Sequence, residues 1–146
     1  MDHNPFPQFG HGDQSYQAAG QIDGVRRLVD EFYHIMETAE EFHHIRNMHP
    51  ENIEVSRDKL TLFLTAWLGG PRMYGEKYGP IRIPIAHRHL DISETERDNW
   101  LACMYRALQN LNYPKDFTAY LIQQLAVPAE RCRLVSEARQ EHEKNA

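Results

Sequence analysis

The sequence predicts an all-α fold, and three features of its 146 residues support this. Apolar side chains recur at helical spacing in several stretches, Gly and Pro residues separate these stretches, and a Ser-x-x-Glu capping box opens one of them. Alternation typical of a strand occurs in only one short run. The length fits one domain, and a hydrophobic fraction of 41% suffices for one core.

The first two long helices are predicted from apolar stripes and their end signals. The first begins near Asp23, and residues at positions i, i+3, i+4, i+7 and i+11 form its buried face: Val25, Leu28, Val29, Phe32 and Met36. The second opens at Ser56, whose hydroxyl is a favourable N-cap, and ends at the Gly-Gly-Pro of residues 69–71. Between the two helices, Pro50 ends a segment that is too short for an independent helix.

Two further helices and the chain ends complete the predicted organisation. Ser93 and Glu96 form the capping box of a long helix, and Pro128 is expected to kink or split the last one. Residues 1–16, rich in Pro, Gly, His and Gln, predict a flexible arm. Residues 17–136 then form the domain, and residues 137–146 form a charged tail that frays.

Composition argues against several classes of partner. The formal net charge is −5 and there is no long basic run, which argues against nucleic-acid binding. No stretch is apolar enough to span a membrane, and the N-terminus lacks the pattern of a signal peptide. The two cysteines form no CxxC pair, so a disulfide framework is not expected. A cytoplasmic location is therefore expected.

Among nine histidines, His87 has the most distinctive setting. It follows a long loop rich in Gly and Pro, ends the apolar run Ile-Arg-Ile-Pro-Ile-Ala, and precedes the capped helix. A haem iron needs a neutral imidazole on a short element whose position the metal bond can adjust. His87 suits that need, whereas His49, before Pro50, would by itself be taken for a solvated loop residue.

A second interpretation of the same residues is a non-haem metal site. Every second residue from 81 to 89 is an Ile or a His (Ile81, Ile83, Ile85, His87 and His89), so a strand would place His87 and His89 on one face. Such an H-x-H pair is typical of a small β-barrel that binds Fe, Mn or Zn. A barrel requires many alternating strands, and no second one is found in the sequence.

Taken as a set, the residues resemble the group II truncated haemoglobins over about residues 16–127. His87 precedes Trp100 by 13 residues, and that interval together with the Gly-Gly-Pro motif is specific. The resemblance also rests on seven further segments: Phe32-Tyr33, Met48-His49-Pro50-Glu51, Phe63-Leu64, Leu68, Tyr74, Asp91-Ile92-Ser93 and the run from Glu96 to Met104. The resemblance implies a two-over-two helical sandwich around a b-type haem.

The resemblance also implies roles for individual residues. His87 corresponds to the proximal iron ligand, and Tyr33 and Trp100 correspond to the distal tyrosine and tryptophan. His49 stands where the family usually has Tyr or Phe, and an imidazole there can donate a hydrogen bond or coordinate the iron as a sixth ligand. The remaining haem-pocket positions, with Lys59 reaching toward a haem propionate, are Ser56, Lys59, Leu60, Phe63 and Tyr74.

These roles predict reversible binding of O₂ and other diatomic molecules, retained by a strongly hydrogen-bonding pocket. Turnover of peroxide or nitric oxide with a reductase is a second possibility in the same fold, because the same donors can polarise either molecule. A helical interaction module without a cofactor is also left open by the sequence.

Overall fold

The structure is a computed structural model that describes residues 8–80 and 82–145. These residues form helices and no strand, which confirms the all-α prediction. The elements in chain order are α1 (Gln14–Ala19), α2 (Gln21–Thr38), a 3₁₀ turn (Glu40–Phe42), α3 (His43–Asn47), α4 (Glu54–Trp67), α5 (Tyr74–Tyr78), α6 (Ile83–Ala86), α7 (Glu94–Asn110) and α8 (Lys115–Lys144).

Helix α2 lies at the centre of the fold. It packs against α4 on one side and α7 on another, and α7 packs in turn against α8. The five residues of its predicted apolar face, Val25, Leu28, Val29, Phe32 and Met36, are fully buried. Each such side chain contributes about 1.5–3 kcal/mol by leaving water, so the stripe that predicted α2 also anchors the core.

The starts of α2 and α4 differ from the prediction by two residues. Gly20, with φ of 94°, separates α1 from α2, so α2 begins at Gln21 rather than Asp23. Helix α4 begins at Glu54, whose backbone N–H donates to the Asn52 side chain at 3.0 Å. The Asn52 side chain therefore satisfies a backbone N–H that has no helical partner at the start of α4. Ser56, the predicted N-cap, lies inside the helix instead.

Of the arm predicted for residues 1–16, the structure describes residues 8–16; residues 1–7 lie outside the described residues. The Phe9 ring lies 5.5 Å from the ring of Phe117 and 5.0 Å from that of Tyr120. Gly10 donates its N–H to the Ser15 hydroxyl at 2.9 Å, within a stretch that leads into α1. The partly buried Phe9 ring therefore packs this segment against α8, although its composition is typical of a flexible arm.

The capping box of α7 is confirmed. Ser93 accepts the N–H of Thr95 at 3.2 Å, and the Glu96 carboxylate accepts the N–H of Ser93 at 2.8 Å. These two bonds satisfy donors that the first turn would otherwise leave without a partner. They also fix the point at which the chain that carries His87 enters α7.

Helix α8 is longer and more continuous than predicted. It passes through Pro128 without splitting and ends at Lys144, so residues 137–144, predicted as a charged tail, belong to the helix. Two i,i+4 ion pairs support its last turns, Arg133 with Glu137 at 2.7 Å and Arg139 with Glu143 at 2.9 Å. None of the helices in the described ranges is both long and apolar enough to cross a membrane.

Candidate functional site

A cavity of about 390 Å³ opens between α2, α4, α7 and α8. Its volume falls in the range typical of small-molecule and cofactor sites. The structure brings all nine residues predicted for the haem pocket into its lining: Tyr33, His49, Ser56, Lys59, Leu60, Phe63, Tyr74, His87 and Trp100. They come from elements far apart in the sequence, so the cavity is a product of the fold.

His87 lies in the turn that follows α6, and its ring is held by the carbonyl of Ile83. Nδ1–H donates to that oxygen at 2.7 Å, and the backbone N–H of His87 donates to it at 3.2 Å. The proton on Nδ1 leaves a lone pair on Nε2, which is the arrangement found in metal-binding histidines. Because Ile83–Ala86 is helical, the strand interpretation with its H-x-H pair is wrong.

The described residues also contain no group of three or more His, Cys, Asp or Glu side chains arranged to hold a metal ion. A bare ion bound by protein ligands alone would need about four of them.

His49, which follows α3, has the same local geometry as His87. Its Nδ1–H donates to the carbonyl of Ile45 at 2.8 Å, so Nε2 again carries a lone pair. Burial lowers the pKa of His49 below its ordinary value, which favours the neutral ring. In this tautomer Nε2 accepts a hydrogen bond or binds a metal, but it does not donate.

Tyr33 and Trp100 each bring a hydrogen-bond donor to the cavity lining. Tyr33 meets His49 edge to face at 5.7 Å between ring centroids, and Phe32 lies 5.1 Å from both Tyr33 and Trp100. Burial raises the pKa of the Tyr33 phenol, so its hydroxyl keeps its proton. The indole N–H of Trp100 can only donate. The buried Phe32 ring thus packs against both Tyr33 and Trp100 and orients their side chains.

Helix α4 supplies two apolar and two polar side chains to one wall of the cavity, and one of the polar side chains is a cation. Four of its residues, at i, i+3, i+4 and i+7, line the cavity: Ser56, Lys59, Leu60 and Phe63. The Lys59 ammonium lies 5.1 Å above the ring of Tyr78, and Tyr74 of the same short helix contacts Tyr78 with ring centroids 5.4 Å apart. The Tyr78 ring of α5 therefore positions the Lys59 ammonium beside the cavity by a cation–π contact.

The wall formed by α8 was missed by sequence reasoning. Four α8 residues line the cavity, and they too are spaced at i, i+3, i+4 and i+7: Leu125, Pro128, Ala129 and Cys132. This spacing indicates one helical face that could line a cavity. Pro128, however, predicts a kink or a split in the helix between these residues, which hides the pattern. Burial raises the pKa of the Cys132 thiol to about 11, so it stays protonated at neutral pH.

Two arginines at the cavity were also missed. Arg82 precedes α6, and Arg97 on α7 pairs with Glu130 of α8 at 2.9 Å. Arg97 lies three residues before Trp100, so helical spacing could have indicated that it faces the same way. With Lys59, these side chains place three cationic groups in the cavity lining.

Comparison with known proteins agrees with this geometry. A family model described as bacterial-like globin matches residues 14–131. Group 2 truncated hemoglobin YjbI of Bacillus subtilis (strain 168) is 28% identical over 114 residues, which cover 78% of this chain and 83% of that protein.

Solved structures of truncated hemoglobins share the fold. One is the cold-adapted truncated hemoglobin of Pseudoalteromonas haloplanktis TAC125, with a TM-score of 0.76 and 28% identity over 81% of this chain and 95% of that one. Another is the group II 2-on-2 hemoglobin of Agrobacterium tumefaciens, with a TM-score of 0.72 and 30% identity over 88% and 97% of the two chains. The chain therefore belongs to the bacterial-like globin family, as its resemblance to the group II truncated haemoglobins predicted.

Proposed function

We propose that the cavity holds a b-type haem with His87 Nε2 as its proximal ligand, and that the protein reversibly binds O₂ and other small diatomic molecules. The observation that carries this proposal is the placement of His87. Its Nδ1 proton is engaged by the Ile83 carbonyl, and its ring lines the same cavity as the donors Tyr33 and Trp100. Membership of a globin family supports haem as the cofactor.

The residues of the cavity fit a haem in three respects. Apolar side chains from α4 and α8 face the space that a large flat ring would fill, including Leu60, Phe63 and Leu125. Cationic side chains in the lining, among them Lys59 and Arg82, suit the propionate carboxylates. The donor set offers a neutral imidazole nitrogen, which is the usual protein ligand of a globin haem.

When bound, the haem iron supplies the coordination bond to the diatomic molecule. The chain supplies the polar surroundings: the Tyr33 hydroxyl and the Trp100 indole N–H would donate to the ligand. A hydrogen bond to an acceptor that carries charge is worth about 1.5–3 kcal/mol. Burial of Tyr33, which is 3% exposed, limits competition from bulk water for this bond.

His49 has a different role from these donors in the proposal. Its Nδ1–H is used by Ile45, and its ring is neutral, so Nε2 offers only a lone pair. We propose that this nitrogen acts as the sixth iron ligand when no external molecule is present. External ligands would then compete with His49 for the same position. Met48 also lines the cavity, and a methionine thioether is another group that coordinates haem iron.

Haem reconstitution tests the proposed function. The full chain should take up haem and develop a Soret band, and His87→Gly should lose the proximal coordination and regain it with added imidazole. His89→Gly is the matched control, because His89 lies two residues away and also lines the cavity. Absence of a Soret band in the wild type, or an unchanged spectrum in His87→Gly, would contradict the proposal.

The ferric spectrum tests His49. The wild type should show a six-coordinate low-spin spectrum that becomes high-spin in His49→Phe, and carbon monoxide should bind faster to the reduced variant. Met48→Leu is the control and should remain low-spin. A high-spin wild type, or a low-spin spectrum that only Met48→Leu abolishes, would rule out His49 as the ligand.

A further inference from the structure

The C-terminal part of α8 contacts the segment that follows His87. The family match ends at residue 131, and α8 continues to Lys144. The contacts concern residues 90–92, the link between the His87 turn and α7. They therefore join the end of the chain to the element that carries the proposed iron ligand.

Ser136 is the centre of these contacts and is fully buried. Its hydroxyl accepts the backbone N–H of Ile92 at 2.8 Å and donates to the carbonyl of Leu90 at 2.8 Å. One side chain thus satisfies two backbone groups of a segment that has no helical partners of its own. A backbone group that is shielded from water and left without a partner is costly, so these bonds hold the segment in place.

Arg139 and Gln140 extend the contact outward. The Arg139 guanidinium pairs with the Asp91 carboxylate and lies 3.4 Å from the carbonyl oxygen of Leu90. The Gln140 amide nitrogen lies 3.3 Å from Asp91 and 3.2 Å from the Ser136 hydroxyl. We call Ser136, Arg139 and Gln140 the α8 clamp.

The clamp reaches His87 through two backbone groups. Leu90, whose carbonyl is held by the clamp, donates its own N–H to the carbonyl of His87 at 3.0 Å. On the other side of His87, the Ile83 carbonyl accepts the His87 Nδ1 proton and lies 4.0 Å from the Cys132 sulfur of α8. Helix α8 therefore contacts the chain both before and after the ligand histidine.

We propose that the α8 clamp positions His87, with Ser136 as its main positioning residue. This inference rests on the proposed function, because it assumes that His87 binds the haem iron. Partners that orient a metal ligand from outside its coordination shell commonly change metal affinity by about 10- to 100-fold when removed. A ligand on a short turn depends on such support, since the turn itself buries little surface.

The test compares Ser136→Ala with Ser15→Ala in the full chain. Ser15 is a matched control: it is also buried, its hydroxyl also accepts a backbone N–H, and it lies on α1 outside the cavity lining. Asp91→Asn serves as a second variant in case Ser136→Ala does not fold, because the Asp91 side chain is 78% exposed. Three quantities are measured: the rate of haem loss to an excess of an apoglobin acceptor, the iron–histidine stretching frequency, and hydrogen exchange at the Ile92 amide.

We expect Ser136→Ala to lose haem about tenfold faster or more, to shift the iron–histidine frequency, and to exchange the Ile92 amide faster. Asp91→Asn should change these quantities in the same direction, and Ser15→Ala should leave the iron–histidine frequency unchanged. Equal effects of the two serine variants, or an unchanged frequency in Ser136→Ala, would overturn the proposal.

Failure of the proposed function would look different. A wild type that takes up no haem would refute the haem site. Hydrogen exchange at Ile92 can still be measured on that protein, and an exchange rate unchanged by Ser136→Ala would refute the clamp independently.

Discussion

At the scale of single residues, two histidines share the same local hydrogen-bond arrangement. His49 and His87 each donate Nδ1–H to the carbonyl four residues earlier, at 2.8 and 2.7 Å. Both follow a short helix, and in each case the carbonyl that accepts from the ring also accepts one backbone N–H, that of Met48 at Ile45 and that of His87 at Ile83. The consequence is a lone pair on Nε2 of each histidine in the lining of one cavity, an arrangement that would suit either nitrogen to bind a metal.

The donors Tyr33 and Trp100 should govern how long a diatomic ligand stays. Removing either by Tyr33→Phe or Trp100→Phe should raise the O₂ dissociation rate by about 10- to 100-fold, because one hydrogen bond of about 1.5–3 kcal/mol is lost. Stopped-flow measurement with a scavenger checks this. Tyr113→Phe is the control, since that hydroxyl donates to Ala19 outside the cavity lining. Equal rates in all three variants would show that neither donor holds the ligand.

Cys103 should make stability depend on alkaline pH. It is fully buried, its thiol donates to the Phe32 carbonyl at 3.3 Å, and burial raises its pKa to about 12. The unfolded chain ionises this thiol near its ordinary pKa of 9.0, whereas the folded chain keeps the proton. The contribution of Cys103 is therefore complete below pH 9 and decreases between about pH 9 and 12.

Urea unfolding at several pH values measures this contribution. The free-energy difference between wild type and Cys103→Ala should shrink by about 1.4 kcal/mol per pH unit above pH 9. A difference that stays constant to pH 10.5 would show that the folded state does not raise this pKa.

At the scale of elements, the junction of α1 and α2 depends on close backbone approach. Gly20 takes a φ of 94°, and the chain turns so sharply that a Cβ on Gly24 would lie 2.0 Å from the Ala19 carbonyl oxygen. Tyr113 donates to that same oxygen from the α7–α8 connection. This junction therefore fixes the position of α2, the helix that carries Tyr33 into the cavity lining.

Gly24→Ala should therefore destabilise the protein by about 1–3 kcal/mol, as overpacking of a tight site does. Gly75→Ala on α5 is the matched control, because a Cβ there meets no atom within 4 Å. It should be neutral or stabilising by up to about 1 kcal/mol through helix propensity. Thermal unfolding followed by circular dichroism checks both, and equal melting temperatures would contradict the close approach at Gly24.

At the scale of the whole molecule, the cavity is where all the long helices meet. Residues of α2, α4, α7 and α8 line it, and the core of the fold lies directly behind Tyr33 and Trp100. A group bound there contacts every long helix at once. Cofactor binding and global stability are therefore expected to be coupled.

Haem should raise the melting temperature because it binds only the folded chain. At a free concentration of about a thousand times Kd the gain is about 4 kcal/mol, which corresponds to roughly 8–16 °C for a protein of this size. Calorimetry with and without haem measures it. His87→Gly should show a smaller gain, and a melting temperature independent of haem in the wild type would disprove the coupling.

The sequence predicted most where the determining interactions are local. The face of α2 and the capping box at Ser93 depend on spacings of three or four residues, which can be read directly. Local patterns misled where a distant partner decides. Composition predicted a flexible arm around Phe9, but the partner ring of Phe117 lies more than a hundred residues later in the chain.

The sequence by itself therefore determined the all-α class, the long-helix stripes and, through the resemblance, nine of the side chains that line the cavity. Only the tertiary structure decided the tautomers of His49 and His87, the wall that α8 forms past Pro128, and the contact of Ser136 with the segment after His87. The physical reason is that a ring proton, a cavity wall and a buried hydroxyl are each defined by their partners in space. Helical periodicity records only which way a residue points along its own helix.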